Sequence, residues 1–242
     1  MTNRISCGRL RCFSGSVLKL IAVVSMLIDH SALLLAAELP ILTLPLLPIG
    51  GGKVTLYYIM RKIGRLAFPI FCFLISEGLV HTRDRKRYLL RLACFAAVSE
   101  FPFNLLVKGT LFYGGKQNIF FTLLLGALLI CISERKASQA DNAVLMIFVL
   151  FAALLLKPDY GLSGVVLILL MYSFRTRPAI QAVTAFPLLS GGWAAFAAFL
   201  PINLYNGQRG FIRSAALKYG FYLFYPLHIL VLVAVKLILR TI

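Results

Sequence analysis

The chain has 242 residues, 60% of them hydrophobic, and a mean hydropathy of +0.90. Soluble domains are about 45–50% apolar, so this composition excludes an ordinary soluble domain and indicates a multi-pass membrane protein. The net charge of +17 does not indicate nucleic-acid binding, because Lys and Arg cluster between apolar runs, as they do in the cytosolic loops of membrane proteins.

Eight apolar runs predict an all-α polytopic membrane protein with about eight transmembrane helices, within a range of eight to ten. The runs cover residues 18–37, 63–80, 88–107, 118–133, 143–156, a short run that ends at Arg175, 178–200 and 219–239. Eight spans place both termini in the cytosol, on the side of the basic loops. Pro187 and Gly191-Gly192 interrupt the seventh run, and two half-helices there would move the C-terminus outside.

The runs predict one integral-membrane domain over residues 1–242, with a basic cytosolic segment at residues 1–17. The basic start resembles a signal peptide, but the apolar run after it is too long, so we predict a retained first helix. Residues 40–62 are rich in Pro and Gly and predict an extracytoplasmic loop. The five cysteines lack the spacing of a zinc site, and we expect buried free thiols and no bound metal.

The first apolar run carries three ionisable residues, Lys19, Asp29 and His30. Ionisable groups at such depth cost a few kcal/mol each to insert, so by default they mark a site that faces protein or water. Lys19 and His30 are eleven positions apart, which is close to three helical turns. They therefore share one helix face at a separation of roughly 16 Å.

The second run contains Arg65 and Glu77 and is followed by His81. Glu77 and His81 are i,i+4 neighbours on one helix face. Two interpretations stay open for Arg65 and Glu77: a structural ion pair between helices, or an arginine that holds an anionic ligand or a catalytic carboxylate. His81 lies among basic residues at the cytosolic surface, where it could bind phosphates.

The third run carries Glu100 and Asn104 in an i,i+4 pair, with Pro102 between them. Pro102 has no N–H for the helical hydrogen bond and frees a carbonyl, so this turn can form a polar pocket. Asn118 opens the fourth run. There it is either a simple N-cap or part of that pocket.

In the last run, Tyr222, Tyr225 and His228 lie near one face, and Pro226 bends the helix between them. Taken alone, His228 would fit a hydrogen-bonded histidine at the membrane interface. Two histidines in two different spans, together with three intramembrane carboxylates, favour a chemical site. An imidazole that acts as general base or acid explains them without a metal.

These residues lie in stretches that resemble the TraX family, named for a protein linked to N-terminal acetylation of conjugative pilin. The similar stretches are LKLIAVVSMLIDH, GRLAFPIFCFLISEGLVHTR, YLLRLACFAAVSEFPFNL, QNIFFTLLLG, LYNGQRG and KYGFYLFYPLHIL. That family is similar in turn to the acyltransferase-three superfamily, whose first helix carries an Arg, ten further residues and a His. Here Lys19 and His30 hold those positions, and Lys keeps a point charge suited to phosphate.

The resemblance implies an integral membrane acyltransferase of the bacterial cytoplasmic membrane, with acetyl-CoA as acyl donor and an unidentified acceptor. The implied catalytic residues are His30, Asp29, Glu100, Glu77 and His228. The implied acyl-CoA-binding residues are Lys19, Arg65, His81, Arg83 and Arg85. The implied acceptor pocket contains Asn104, Asn118, Tyr222, Tyr225 and Asn206. The acceptor stays open between a peptide N-terminus, another amine and a glycan hydroxyl.

Two further functions stay open at this point. Intramembrane Asp, Glu and His also serve proton relays, which would suit a proton-coupled transporter or flippase without acyl-CoA chemistry. The chain could also be an assembly component without catalysis. Fewer spans are predicted than the ten usual for the larger superfamily.

Overall fold

A computed structural model describes residues 11–49 and 52–241, and the all-α class predicted from the sequence is confirmed. In this part of the chain, six helices begin at a side chain that accepts a hydrogen bond from a first-turn N–H: Ser14, Thr55, Asp84, Asn118, Ser138 and Ser214. Such N-caps satisfy N–H groups that have no partner within the helix.

The α-helices are α1 (Gly15–Leu35), α2 (Leu56–Gly64), α3 (Ala67–His81), α4 (Arg85–Lys108), α5 (Ile119–Ser133), α6 (Gln139–Leu156), α7 (Gly161–Ser173), α8 (Pro178–Ala185), α9 (Trp193–Phe196), α10 (Phe199–Asn203) and α11 (Ala215–Thr241). Pro40–Leu42 and Phe186–Leu188 are short 3-10 helices. Strands β1 (Pro45–Ile49) and β2 (Gly52–Thr55) pair antiparallel. Residues 40–62, which were predicted as a loop, therefore hold a hairpin and most of α2. This helix begins before the predicted start at residue 63, because Tyr58 N donates to the Thr55 hydroxyl at 3.1 Å.

Five helices among the described residues are long and apolar enough to cross a membrane: Gly15–Leu35, Leu56–His81 (α2 and α3 together), Arg85–Lys108, Gln139–Leu156 and Ala215–Thr241. Shorter apolar segments accompany them: Ile119–Ser133, Gly161–Ser173, Pro178–Leu188 and Trp193–Asn203. The protein is therefore an all-α, multi-pass membrane protein. The shorter segments fall below the roughly 20 residues of a full span.

The first and last helices run in the same direction. The start of α1 contacts the loop before α11, where Gly15 N donates to Gln208 O (2.8 Å). The end of α11 lies beside the end of α1, where Arg240 Nε donates to Glu38 Oε1 (2.6 Å). The start of α1 and the end of α11 therefore lie at opposite ends of the bundle, which is not what an eight-span count predicts.

The difference comes from the seventh apolar run, which forms two passes. α8 and the 3-10 helix after it lead to Gly191, whose backbone packs against the Arg65 stem. Gly192 has a φ of 55°, a conformation that favours glycine, and the chain reverses there. α9 and α10 return to the other end, where Phe13 N donates to Leu204 O (3.0 Å). This additional reversal moves the end of α11 away from the start of α1.

Apolar side chains from α3, α5, α7 and α11 fill the centre of the bundle, and Ile130, Ile168 and Ile229 are fully buried. Gly126 lets α5 approach α7, because a Cβ there would lie 2.5 Å from Ile168 Cδ1. Small residues are common where membrane helices pack closely. α6 lies at the edge of the bundle, where Ala153 is its one buried residue.

Cys12, Cys72, Cys94 and Cys131 are free thiols. Only Cys72 of these four is buried, so the expected burial does not hold for the exposed Cys12 and Cys94. Cys7 lies outside the described residues.

Candidate active site between two cavities

The histidines of the first and last helices meet inside the bundle. His30 Nδ1 lies 2.7 Å from His228 Nε2, although the two residues are 198 positions apart in the chain. Their rings are parallel, with centroids 5.0 Å apart. α1 and α11 therefore converge at this pair.

The hydrogen bonds assign the protons on the two imidazoles. His228 Nδ1 lies 2.7 Å from the carbonyl oxygen of Phe224, which can only accept, so this nitrogen carries the proton. In neutral His228 the Nε2 is then an acceptor, and His30 Nδ1 is its donor. His30 Nε2 keeps a lone pair and has no hydrogen-bond partner among the described residues. It is therefore free to take a proton from a bound molecule.

Pro226 and Tyr225 position the part of α11 that carries His228. Pro226 has no N–H, so a carbonyl one turn earlier lacks its helical donor. The Tyr225 ring packs edge-on against His30, with centroids 6.1 Å apart, and against His228 at 5.8 Å. Its hydroxyl lies close to the backbone of Ile119. α11 thereby contacts the start of α5 beside the histidine pair.

A cavity of about 450 Å³ lies at the end of the bundle where α1 begins, and we call it the Lys19 cavity. The acidic and basic side chains among its lining are Lys19, Glu77, His81, Arg209 and Lys218. Its apolar and aromatic lining includes Met26, Leu92, Ile119, Phe120, Leu123, Tyr222 and Tyr225. Charged groups combined with an apolar interior suit an amphiphilic ligand with a charged head.

Positive charge dominates the Lys19 cavity. Lys19 is close enough to Arg209 and Lys218 for their charges to repel one another, and Lys218 is also repelled by Arg91. In the described part of the chain, Glu77 is the one carboxylate that lines this cavity. Several positive charges with one carboxylate to balance them favour the binding of an anionic ligand. Lys and Arg side chains commonly bind phosphate.

A second cavity, of about 730 Å³, lies toward the opposite end, and we call it the Asp29 cavity. Its polar lining is Asp29, His30, Arg61, Arg65, Lys116, Lys157, Asp159, Tyr160 and Ser190. Its apolar lining includes Leu33, Phe103, Leu106, Val107 and Leu162. The Tyr160 ring stacks on Phe68, with centroids 3.4 Å apart, and burial raises the pKa of the Tyr160 hydroxyl above its ordinary value. This wall therefore presents a neutral hydroxyl.

Two ion pairs organise the Asp29 cavity. Arg61 Nη1 donates to Asp29 Oδ2 at 2.6 Å, and Lys116 Nζ lies 2.7 Å from Asp159 Oδ1. Asp29 Oδ1 is buried and has no hydrogen-bond partner in the described residues. It therefore keeps its capacity to accept a hydrogen bond, next in sequence to His30.

Gly64 lets the end of α2 pass directly over Asp29, because a Cβ there would lie 2.2 Å from Asp29 Oδ1. Gly64→Ala is therefore expected to displace Asp29, weaken its bond to Arg61 and destabilise the protein by about 1–3 kcal/mol. Thermal unfolding in detergent measures this effect. Gly114→Ala is the control, because a Cβ at Gly114 meets nothing within 4 Å. Equal melting temperatures for the two variants would contradict this close contact.

The two cavities meet at the histidine pair without merging. In the part of the chain that the structure describes, they share no lining residue. Tyr225 lines the Lys19 cavity and packs against His30, which lines the Asp29 cavity. Met26 lines the first cavity one helical turn before His30. Groups that enter from the two ends would therefore approach each other at His30.

The residues singled out from the sequence divide between the two cavities. Lys19, Glu77, His81, Tyr222 and Tyr225 line the Lys19 cavity, and Asp29, His30 and Arg65 line the Asp29 cavity. Arg65, expected beside Lys19 in acyl-CoA binding, thus lies in the other cavity. His228 reaches the junction through its hydrogen bond to His30.

Glu100, Asn104 and Asn118 lie outside the lining of both cavities. Asn118 Nδ2 donates to Glu100 Oε2 at 2.6 Å and to Ala96 O at 2.7 Å. Asn118 Oδ1 accepts from Phe120 N at 3.0 Å and so caps α5. Asn104 Nδ2 donates to a backbone carbonyl of the following loop. This polar cluster fastens α4 to the start of α5.

Arg83, Arg85 and Asn206 also lie outside both cavities. Arg85 forms an ion pair with Glu134, and Arg83 is exposed. Asn206 Oδ1 accepts from Gln208 N at 2.8 Å and closes a turn. This turn positions the loop that carries Arg209, which lines the Lys19 cavity.

Several cavity residues were not predicted from the sequence: Arg61, Lys116, Asp159, Arg209 and Lys218. Two signals could have found some of them. Arg209 belongs to the LYNGQRG stretch, and Arg61 precedes Arg65 by four positions, the spacing of helix neighbours.

Residues 14–236 match the family described as TraX protein. The chain is also 29% identical over 257 aligned positions to a probable fimbrial assembly protein, FimC of serogroup H1, from Dichelobacter nodosus. That alignment covers 94% of this chain and 98% of the relative. No solved structure matches the chain. Because the family match includes both paired histidines and nearly all of the described helices, this chain belongs to the TraX family.

Proposed function

We propose that this protein is an acyltransferase of the bacterial cytoplasmic membrane that transfers an acetyl group from acetyl-CoA to an amine or hydroxyl acceptor. Acetyl-CoA binds in the Lys19 cavity, and the acceptor enters the Asp29 cavity. The observation that carries this proposal is the unpaired Nε2 of His30 at the point where the two cavities meet.

The Lys19 cavity fits the chemistry of coenzyme A. Coenzyme A carries phosphate groups on a long arm that ends at the thioester, and Lys19, Arg209 and Lys218 offer the cations for those phosphates. The uncharged arm would lie along the apolar wall toward Met26 and Tyr225. A volume of about 450 Å³ is within the range of about 300–1,000 Å³ that is common for small-molecule sites.

The distribution of charge supports a cytosolic position for the Lys19 cavity. The loops and the start of α4 at that end of the bundle are basic and contain Arg83, Arg85, Lys86, Arg87, Arg135 and Lys136. Cytosolic loops of membrane proteins carry an excess of Lys and Arg. Acetyl-CoA from the cytosol would then reach its cavity directly, and the Asp29 cavity would face the opposite side.

His30 acts as the base in the proposed reaction. The acceptor N–H or O–H donates to His30 Nε2, which takes the proton as the acceptor atom bonds to the thioester carbonyl carbon. The C–S bond then breaks, and His30 returns the proton to the departing thiolate. The products are the acetylated acceptor and coenzyme A. His228 stabilises the intermediate imidazolium, because its Nε2 accepts the proton on His30 Nδ1.

The relative's name informs the acceptor class. It is a probable fimbrial assembly protein, so the N-terminal amine of a pilus subunit belongs to the acceptors that we propose. Other amines and sugar hydroxyls present the same nucleophilic chemistry to His30.

Lys218→Ala is expected to weaken acetyl-CoA binding about tenfold, or about 1.4 kcal/mol, because it removes one charged hydrogen bond to phosphate. Isothermal titration calorimetry on the purified protein in lipid nanodiscs measures the dissociation constant. Lys236→Ala is the matched control, because it removes the same charge from α11 outside both cavities. A folded protein that does not bind millimolar acetyl-CoA would contradict the proposed function and favour a transporter.

A further inference from the structure

Arg65 lines the Asp29 cavity, and its side chain has no partner among the residues that the structure describes. Of the three other cations that line this cavity, Arg61 pairs with Asp29, Lys116 pairs with Asp159, and Lys157 is exposed. The guanidinium of Arg65 forms no hydrogen bond or ion pair with any described residue, although the residue is only partly exposed. A guanidinium in such a place normally binds an anion.

The eight Asp and Glu side chains, all of which are described, do not supply that anion. Five of them form ion pairs with other bases, namely Asp29, Glu38, Asp84, Glu134 and Asp159, and Glu77 lies 3.6 Å from His81. Glu100 binds Asn118, and Asp141 lies in the first turn of α6, at the Lys19 end. Arg65 is therefore available to a molecule that enters the cavity.

The surrounding backbone holds Arg65 in the cavity that His30 also lines. A Cβ at Gly191 would lie 2.9 Å from Arg65 Cγ, so the reversal between α8 and α9 presses against the arginine stem. Arg65 acts electrostatically on Asp29, the neighbour of His30 in sequence. Arg65 and His30 line the same cavity, so one molecule can contact both.

We propose that the Asp29 cavity binds acceptors that carry an oxyanion, either a phosphate or a carboxylate, and that Arg65 holds this group while the nucleophile lies at His30. The planar guanidinium donates two parallel hydrogen bonds to either oxyanion. The identity of this ligand as the acceptor rests on the proposed function. The anion-binding site itself rests on the geometry of Arg65.

The test uses hexyl phosphate and hexanoate as probes, with 1-hexanol as the uncharged counterpart, because the cavity also has apolar walls. Calorimetric titration of the full protein in lipid nanodiscs, with empty nanodiscs subtracted, is expected to show tighter binding of the anions than of hexanol. Arg65→Ala should weaken anion binding at least about tenfold and leave hexanol binding unchanged. Arg65→Lys should give an intermediate affinity, because it keeps the charge without the two parallel donors.

Lys62→Ala is the matched control. It removes an exposed cation three positions before Arg65 that does not line the cavity, and we expect it to leave anion binding unchanged. Tighter binding of hexyl phosphate would assign a phosphate acceptor, and tighter binding of hexanoate a carboxylate acceptor. Equal anion affinity in wild type and Arg65→Ala would overturn the inference, and so would wild-type binding of the anions no tighter than of hexanol. Anion binding lost in Lys218→Ala instead of Arg65→Ala would also overturn it, because the probes would then occupy the Lys19 cavity.

Acetyl-CoA binding, measured on the same preparations, separates the two proposals. Anion binding that depends on Arg65, in a protein that does not bind acetyl-CoA, would support the anion site and contradict the transferase. Acetyl-CoA binding with anion affinity indifferent to Arg65 would contradict the anion site alone.

Discussion

His30→Ala is expected to lower acetyl transfer from acetyl-CoA by a factor of about 10²–10⁴, the usual contribution of a general base. Acetyl-CoA should still bind, because His30 does not line the Lys19 cavity. Membrane vesicles that contain the protein, incubated with radiolabelled acetyl-CoA, report transfer as label in the acceptor fraction. Calorimetry on the same variant reports binding.

Two substitutions of His228 test the orientation of the base. His228→Gln provides an amide oxygen that can accept the proton of His30 Nδ1, whereas His228→Leu provides no acceptor. We expect His228→Gln to retain more activity than His228→Leu. Equal activity of the two, or full activity of His30→Ala, would contradict the roles proposed for this pair.

Gly126→Ala is expected to destabilise the protein by about 1–3 kcal/mol, because the added methyl group has no room between α5 and α7. The new Cβ would lie 2.5 Å from Ile168 Cδ1 and 2.7 Å from Ile168 Cβ, and the latter atom cannot move without the helix backbone. Ile168 is itself fully buried. Thermal unfolding of the purified protein in detergent measures the change.

Gly220→Ala is the matched control for this helix-packing prediction. Gly220 also lies within a helix, but a Cβ there would meet nothing within 4 Å. Alanine in a helix interior is favoured over glycine by about 0.5–1 kcal/mol, so this variant should be as stable as wild type or slightly more stable. Destabilisation of both variants to the same degree would contradict an effect of packing at Gly126.

The helices of the bundle could be predicted from the sequence because long apolar runs have few alternatives in a membrane. The path through residues 178–205 could not be predicted in the same way. Pro187 and Gly191-Gly192 indicated an interruption, but a break in a helix does not specify whether the chain continues or reverses. The reversal depends on the fit of the Gly191 backbone against Arg65, which is a contact between distant parts of the chain.

The candidate site was predictable in its residue types but not in its pairings. Asp29, His30 and His228 stood out because ionisable groups are costly within apolar helices. Arg61 did not stand out, because it lies at a helix end where cations are common, yet it is the partner of Asp29. Glu100 stood out for its depth, and its partner is the N-cap of α5. The arrangement of the helices decides which acid pairs with which base. That arrangement depends on contacts between residues that are distant in the sequence, so short sequence patterns do not reveal it.

The ring of Tyr225 between the two cavities has a consequence for the energetics of the membrane. A continuous watery passage through the bundle would let protons and ions leak and would dissipate the potential that a bacterial membrane maintains. Among the described residues the two cavities share no lining residue, and Tyr225 packs against His30 where they meet. In the proposed reaction, an acetyl group would move only past this one side chain to change carriers. The proposed transferase would thus pass a chemical group across the barrier without the electrical loss that an open pore causes.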